Sequence, residues 1–184
     1  QKDGMIGAKD IELVQTEKSQ IIQKSGLLEM VKLREKMEDI GGLEKLKPWL
    51  VQKSQIFADW PAARDFGVES PKGVMIVGMP GCGKSLTAKA TASLFGLPLL
   101  KMDMGSLMGK YVGESEGNMR RAIAVAEAVS PCVLWVDEVE KAFSGIGSGG
   151  AGSEVATRLF GYFLTWMQEK TAQVFVVATA NDVS

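Results

Sequence analysis

The chain of 184 residues contains no histidine. Any site that works through an imidazole, from a serine–histidine relay to a histidine-held metal, is thereby excluded. Cysteine is nearly as scarce: Cys82 and Cys132 lie far apart, without metal-type spacing and without partners for a disulfide framework. That argues against structural zinc and fits a reducing compartment such as the cytoplasm. No apolar run approaches the ~20 residues of a membrane-spanning helix, so no membrane segment is expected. An excess of charge is missing too, since 21 basic residues face 22 acidic ones for a net charge of −1. Nucleic-acid surfaces carry a basic stripe, and without one no nucleic-acid partner is expected. The first residues, Gln1-Lys2-Asp3-Gly4, include neither a methionine nor a signal-like apolar segment, which reads as an internal start in a longer protein.

What is present suits a globular domain. An apolar share of 46% and a charged share of 23% are ordinary for one, and the length allows one substantial core with or without a small attached element. Residues 8–25 carry Ile11, Val14, Ile21 and Ile22 at helical spacing, with Gly26 as a stop. We assign residues 1–36 to a helical N-terminal extension or linker and 37–184 to the main domain. Asp39-Ile40-Gly41-Gly42 reads as a turn before Leu43, Leu46, Leu50, Val51 and Phe57, again at helical spacing. Pro48 falls inside that segment and predicts a break or a fresh helix start.

From residue 73 the rhythm becomes strand and helix in alternation. Strands are expected at Gly73–Val77, Pro98–Met102, Cys132–Val136 and Val174–Thr179. Helices are expected at Ser85–Phe95, at Ser115–Ser130 with Ser115 as N-cap, and at Glu154–Glu169. Apolar strands separated by helices predict an α/β fold with a mostly parallel sheet. The low-complexity stretch Gly145–Gly152 is expected to be flexible.

Three segments carry chemistry. Gly78-Met79-Pro80-Gly81-Cys82-Gly83-Lys84-Ser85 matches the phosphate-loop pattern G-x-x-x-x-G-K-S/T in full, between an expected strand and an expected helix. Its glycines let backbone N–H groups curl around phosphate oxygens at the positive end of a helix. Lys84 is placed to reach the β- and γ-phosphates and the Ser85 hydroxyl to ligate Mg²⁺. The nucleotide-contacting stretch is taken as Pro80, Gly81, Cys82, Gly83, Lys84, Ser85 and Leu86. Roughly 50 residues later an apolar strand ends in Asp137-Glu138. Asp137 suits the water shell of Mg²⁺, and Glu138 suits polarisation of an attacking water. The last strand ends near Asn181, an amide able to bond both the γ-phosphate and that water.

With these pieces in this order the chain resembles the AAA+ ATPases, and within them the classical AAA clade. Asp39-Ile40-Gly41-Gly42-Leu43 is similar to that clade's leading motif, which implies that Asp39, Ile40 and Gly41 border the adenine. Lys110-Tyr111-Val112-Gly113-Glu114-Ser115-Glu116 is similar to its first pore loop. Ile21–Glu29, Pro131–Trp135 and Phe163–Thr171 are similar to the hypothetical chloroplast reading-frame AAA proteins of cyanobacteria and red-algal plastids. The resemblance covers about residues 37–184. It implies a three-layer α/β/α P-loop NTPase fold, ATP or ADP with Mg²⁺ as cofactors, hydrolysis of ATP, and a homo-hexameric ring. It also implies that Lys110, Tyr111 and Val112 grip a polypeptide substrate or protein partner, in the cytoplasm or a plastid stroma. A nucleotide-gated assembly factor or scaffold, which threads nothing, is the alternative. Met79, Cys82 and Ser85 replace the more common Pro, Thr and Thr, and Ser85 keeps the hydroxyl. Cys82 is read as a small tolerated residue, with redox sensing as the other reading. The family's arginine fingers and helical lid follow the Asn181 motif and fall beyond Ser184. An arginine of that kind is worth roughly 10³–10⁵ in rate, so the segment alone is expected to turn ATP over poorly.

Overall fold

The computed structural model describes residues 8–109, 114–143 and 151–181. The expected rhythm is there: β2 (Gly73–Val77), α4 (Lys84–Phe95), β3 (Leu99–Asp103), α6 (Ser115–Val129), β4 (Cys132–Asp137), α8 (Ala151–Glu169) and β5 (Val174–Ala180). Before them come α1 (Ala8–Ser25), β1 (Glu29–Val31), α2 (Leu46–Ala58) and α3 (Trp60–Asp65), and the short helices α5 (Met104–Gly109) and α7 (Glu140–Phe143) fill two loops. The sheet runs in the order β1-β3-β4-β5-β2. Its pairs are parallel except for β1, which lies antiparallel on β3.

Alternation along the strands sorts the core into two faces, because successive side chains point to opposite sides. Leu134 and Val136 of β4 and Val174 and Val176 of β5 pack with α6 and α8 through Met119, Ile123, Leu159 and Phe163. Val133, Trp135, Phe175 and Val177 face the other way, onto Leu50 of α2 and Ala88 and Ala92 of α4. Helices on both faces give the three-layer α/β/α architecture. Phe175 anchors the second face, 4.8 Å from Phe95 and 5.8 Å from Phe57 between ring centres. All seven residues of β5 are buried, as expected for a central parallel strand.

The described part of the chain ahead of residue 37 packs on this core through α1. Ile22 of α1 is 1% exposed and belongs to the α6 and α8 cluster, and the Lys18 ammonium donates to the Val129 carbonyl at 2.8 Å. Gly26, at φ +62°, turns the chain from α1 toward β1. Pro48 sits in the first turn of α2, where a backbone N–H has no intrahelical acceptor and its loss is tolerated, so the helix starts afresh there. One cap differs from expectation. Glu114, not Ser115, is the N-cap of α6, because the Asn118 N–H already bonds the Glu114 carbonyl at 2.8 Å. Ser115 is the first helical residue and is buried. α8 begins at Ala151, so Ala151 and Gly152 of the glycine-rich stretch are helical; residues 145–150 lie outside the described residues.

Candidate functional site

The carboxyl ends of β2, β5 and β4 lie side by side, and the three chemical segments follow them. Val77 pairs with Ala180, and Val136 pairs with Ala178. The loop after β2 is tied to the neighbouring strand by the Gly78 N–H, which donates to the Ala180 carbonyl at 3.2 Å. Gly81 and Gly83 take φ values of +82° and +92°, a region that glycine enters without the penalty a side chain brings. A Cβ at Gly78 would meet Cys82 Sγ at 2.8 Å, so a larger residue there would have to displace the Cys82 side chain. Lys84 Nζ donates to the carbonyls of Gly78 at 2.6 Å and Met79 at 2.9 Å, bridging the loop from its far end to its start.

α4 opens at Gly83, which carries no capping side chain. The first N–H groups of a helix have no intrahelical acceptor and concentrate positive potential, so Lys84, Ser85 and Leu86 form an anion-ready start. Thr87, the residue after them, is already inside the helix, its hydroxyl donating to the Gly83 carbonyl at 3.0 Å.

Asp137 ends β4 on the α4 side of the sheet, two residues beyond Trp135. The same parity brings Lys101 of β3 and Thr179 of β5 to that face, since Lys101 is paired with Trp135 and Thr179 lies two beyond Val177. The four side chains close a ring. Lys101 Nζ lies 2.9 Å from Asp137 Oδ2. Thr179 Oγ1 donates to Asp137 Oδ1 at 2.8 Å and accepts from Trp135 Nε1 at 3.0 Å. The Lys101 ammonium returns to the start, 4.5 Å from the Trp135 ring centre.

Glu138 follows directly, at φ +57°, a region sparsely populated by non-glycine residues. Its carboxylate forms an ion pair with Lys141 of α7. Hydrogen bonding to Glu138 raises the Lys141 pKa, with Asp103 and Glu140 adding to the effect. Burial pushes the Asp103 carboxyl up, but donors from Ser106 and Gly105 prevail and hold it below its ordinary value. Asn181 Nδ2 donates to Glu140 Oε1 at 2.9 Å. The other oxygen, Glu140 Oε2, is buried and has no partner among the described residues.

Asp39 closes a 3₁₀ turn at 37–39, accepting the Lys36 N–H at 2.6 Å. Ile40 is buried, Lys47 donates to its carbonyl, and Gly41 follows, exposed, in an irregular stretch. This segment is fastened to α4 by Lys89 and Glu35, 2.8 Å apart. The Lys89 ammonium draws the Glu35 pKa down to about 2. Lys110, Tyr111 and Val112, expected to contact a polypeptide, lie outside the described residues.

A magnesium nucleotide requires N–H donors around phosphate, one hydroxyl and one carboxylate. The tight glycine loop, the uncapped start of α4, Ser85 and Asp137 supply that donor set. Among the described residues no three acidic, cysteine or histidine side chains converge on a point. Sequence reading missed Lys101, Thr179, Glu140 and Lys141. Thr179, Glu140 and Lys141 lay within two or three residues of segments already singled out, while Lys101 gave no local signal.

Comparison with known proteins gives the family. The family described as "ATPase family associated with various cellular activities (AAA)" matches residues 74–184. An "Uncharacterized AAA domain-containing protein ycf46" from Pyropia yezoensis is 49% identical over 97% of this chain and 36% of its own length. Its counterpart from Guillardia theta is 46% identical over 97% of the chain and 35% of its own. The human "ATPase family gene 2 protein homolog A" is 37% identical over 78% of the chain and 16% of its own. The chain thus spans about a third of the length of its ycf46 relatives.

Proposed function

The chain belongs to the AAA family of ATPases, and from that premise we propose that it is the nucleotide-binding core of an ATP-hydrolysing machine that remodels a protein partner as a ring. The observation that carries this reading is the glycine loop leading into an uncapped helix beside a strand ending in Asp137-Glu138. The loop N–H groups from Pro80 to Leu86, less that of the proline, and the Lys84 ammonium hold the β- and γ-phosphates. Ser85 and Asp137 would hold a magnesium ion, which when bound would supply positive charge against the phosphates. Glu138 orients the attacking water and accepts its proton. Asn181 donates its amide toward the same water and the γ-phosphate, leaving Glu140 when it does so. Asp39, Ile40 and Gly41 border the adenine.

A homo-hexamer with Lys110, Tyr111 and Val112 gripping an extended polypeptide is the assembly this reading entails. No helix among the described residues is long and apolar enough to cross a membrane, and the plastid stroma or the cytoplasm is the working compartment this reading adopts. The test is ATP turnover of the full-length protein together with its mass in solution with and without nucleotide. Hydrolysis with ATP-dependent hexamers is expected, lost in Lys84→Ala and slowed by ~10² or more in Glu138→Gln, the scale of a missing general base. Tyr111→Ala is expected to keep basal hydrolysis and lose partner processing. Tight nucleotide binding with no turnover and no ring would instead establish a nucleotide-gated assembly factor.

A further inference from the structure

Lys101 has no part in the phosphate-loop chemistry, yet its ammonium is placed on the carboxylate proposed to face the metal. Asp137 does not need it for orientation. Thr179 already donates to Oδ1, and Thr179 is itself fixed by the Trp135 indole N–H. What Lys101 adds to the ring is a positive charge, about three-quarters buried and stacked over an aromatic face. A polar cavity of about 260 Å³ adjoins it, lined also by Glu29, Asp103, Ser106 and Asn118. Lys101 thus borders both Asp137 and a second acidic side chain, Asp103, across this cavity.

We propose that Lys101 is a resident counter-cation of Asp137 that loosens the dependence of nucleotide binding on magnesium. The proposal rests on the assignment of Asp137 to the metal side of the nucleotide site. With Lys101 present, phosphates approaching without a metal meet a neutralised carboxylate. Without it they meet a bare negative charge, while a divalent cation meets a more attractive one. Both effects act in one direction: removing the lysine charge weakens metal-free nucleotide and strengthens the metal complex. Linkage makes the two faces of that coupling equal. A unit charge at about 10 Å in an effective dielectric of about 20 shifts an equilibrium roughly tenfold. A residue that merely positioned Asp137 would do the reverse, since its loss would misplace the carboxylate and weaken the metal complex.

The experiment measures ADP affinity of the full-length protein in excess EDTA and in excess magnesium, and takes the ratio. Lys101→Gln keeps a donor toward Asp137 without the charge, Lys101→Met removes both, and Lys101→Arg keeps both. The ratio is expected to widen roughly tenfold in the Gln and Met variants and to stay at the parent value in Lys101→Arg. A ratio unchanged or narrowed in Lys101→Gln overturns the proposal, and that variant decides if the Met variant fails to fold. Lys84→Ala is the control on the underlying reading. If it binds ADP like the parent, the phosphate-loop assignment falls and the proposal with it; if it does not bind, the ratios test Lys101 alone.

Discussion

Thr179→Val isolates the hydroxyl at the centre of the ring. Valine keeps the branched shape, so the substitution removes polar contacts from a residue 1% exposed. Two consequences follow from the geometry. The Trp135 indole N–H, bonded to Thr179 Oγ1 at 3.0 Å, loses its acceptor inside the core, which costs about 1–3 kcal/mol. Asp137 loses a donor at 2.8 Å. That bond involves an ionised group, but water and Lys101 reach the partly exposed carboxylate, so about 1 kcal/mol is assigned to it. The sum is about 3 kcal/mol, or roughly 6–12 °C in melting temperature for a domain of this size. In a Trp135→Phe background the indole donor is gone, and Thr179→Val should then cost only about 1 kcal/mol. Urea unfolding of the parent, both single variants and the double variant therefore closes a cycle with a coupling of about 2 kcal/mol. If Thr179→Val costs the same in both backgrounds to within about 0.5 kcal/mol, the indole–hydroxyl bond contributes nothing and the ring is a coincidence of packing.

Two further outcomes follow from side chains away from the ring. Lys170 is buried with its ammonium on the Val174 carbonyl at 2.5 Å, and burial, with Lys72 nearby, lowers its pKa from 10.5 to about 8. Between those values the unfolded chain binds the extra proton, so stability conferred by this residue is flat below about 8 and rises with pH up to 10.5. The stability gap between the parent and Lys170→Met, read from urea midpoints, should shift in the parent's favour across that window; a pH-independent gap would refute it. Cys132 is buried and its thiol is pushed up to about 12 by burial, whereas Cys82 is exposed on the loop. A thiol reagent should therefore titrate one cysteine in the native chain and two in urea, with nucleotide slowing the first. Two fast native thiols would contradict the packing of Cys132 against the α6 carbonyl of Ala126.

The legible parts of this protein were those encoded by contiguous residues. The glycine loop, the run Val133-Leu134-Trp135-Val136 ahead of Asp137-Glu138, and the buried strand from Val174 each announce themselves within a dozen positions. β1 did not, because three residues mixing Glu29 with Met30 and Val31 have neither the length nor the apolar run of a core strand. It exists because β3 offers it an edge. The ring of Lys101, Trp135, Thr179 and Asp137 was equally hidden, since it depends on the register of three strands brought together by crossovers. The cap of α6 was misplaced by one residue for a related reason. Ser115 has the better capping side chain, but the backbone bond from Asn118 to Glu114 settled the boundary.

The backbone at Glu138 has a consequence for how this sequence can drift. A residue with a Cβ held at φ +57° forgoes roughly 1–2 kcal/mol that glycine would recover. Random substitution at this position therefore runs downhill toward glycine or asparagine, which fit the turn better and lack the carboxylate. Under the role proposed for Glu138, its carboxylate is thus held at a cost in fold stability, and Glu138→Gly is expected to raise the melting temperature.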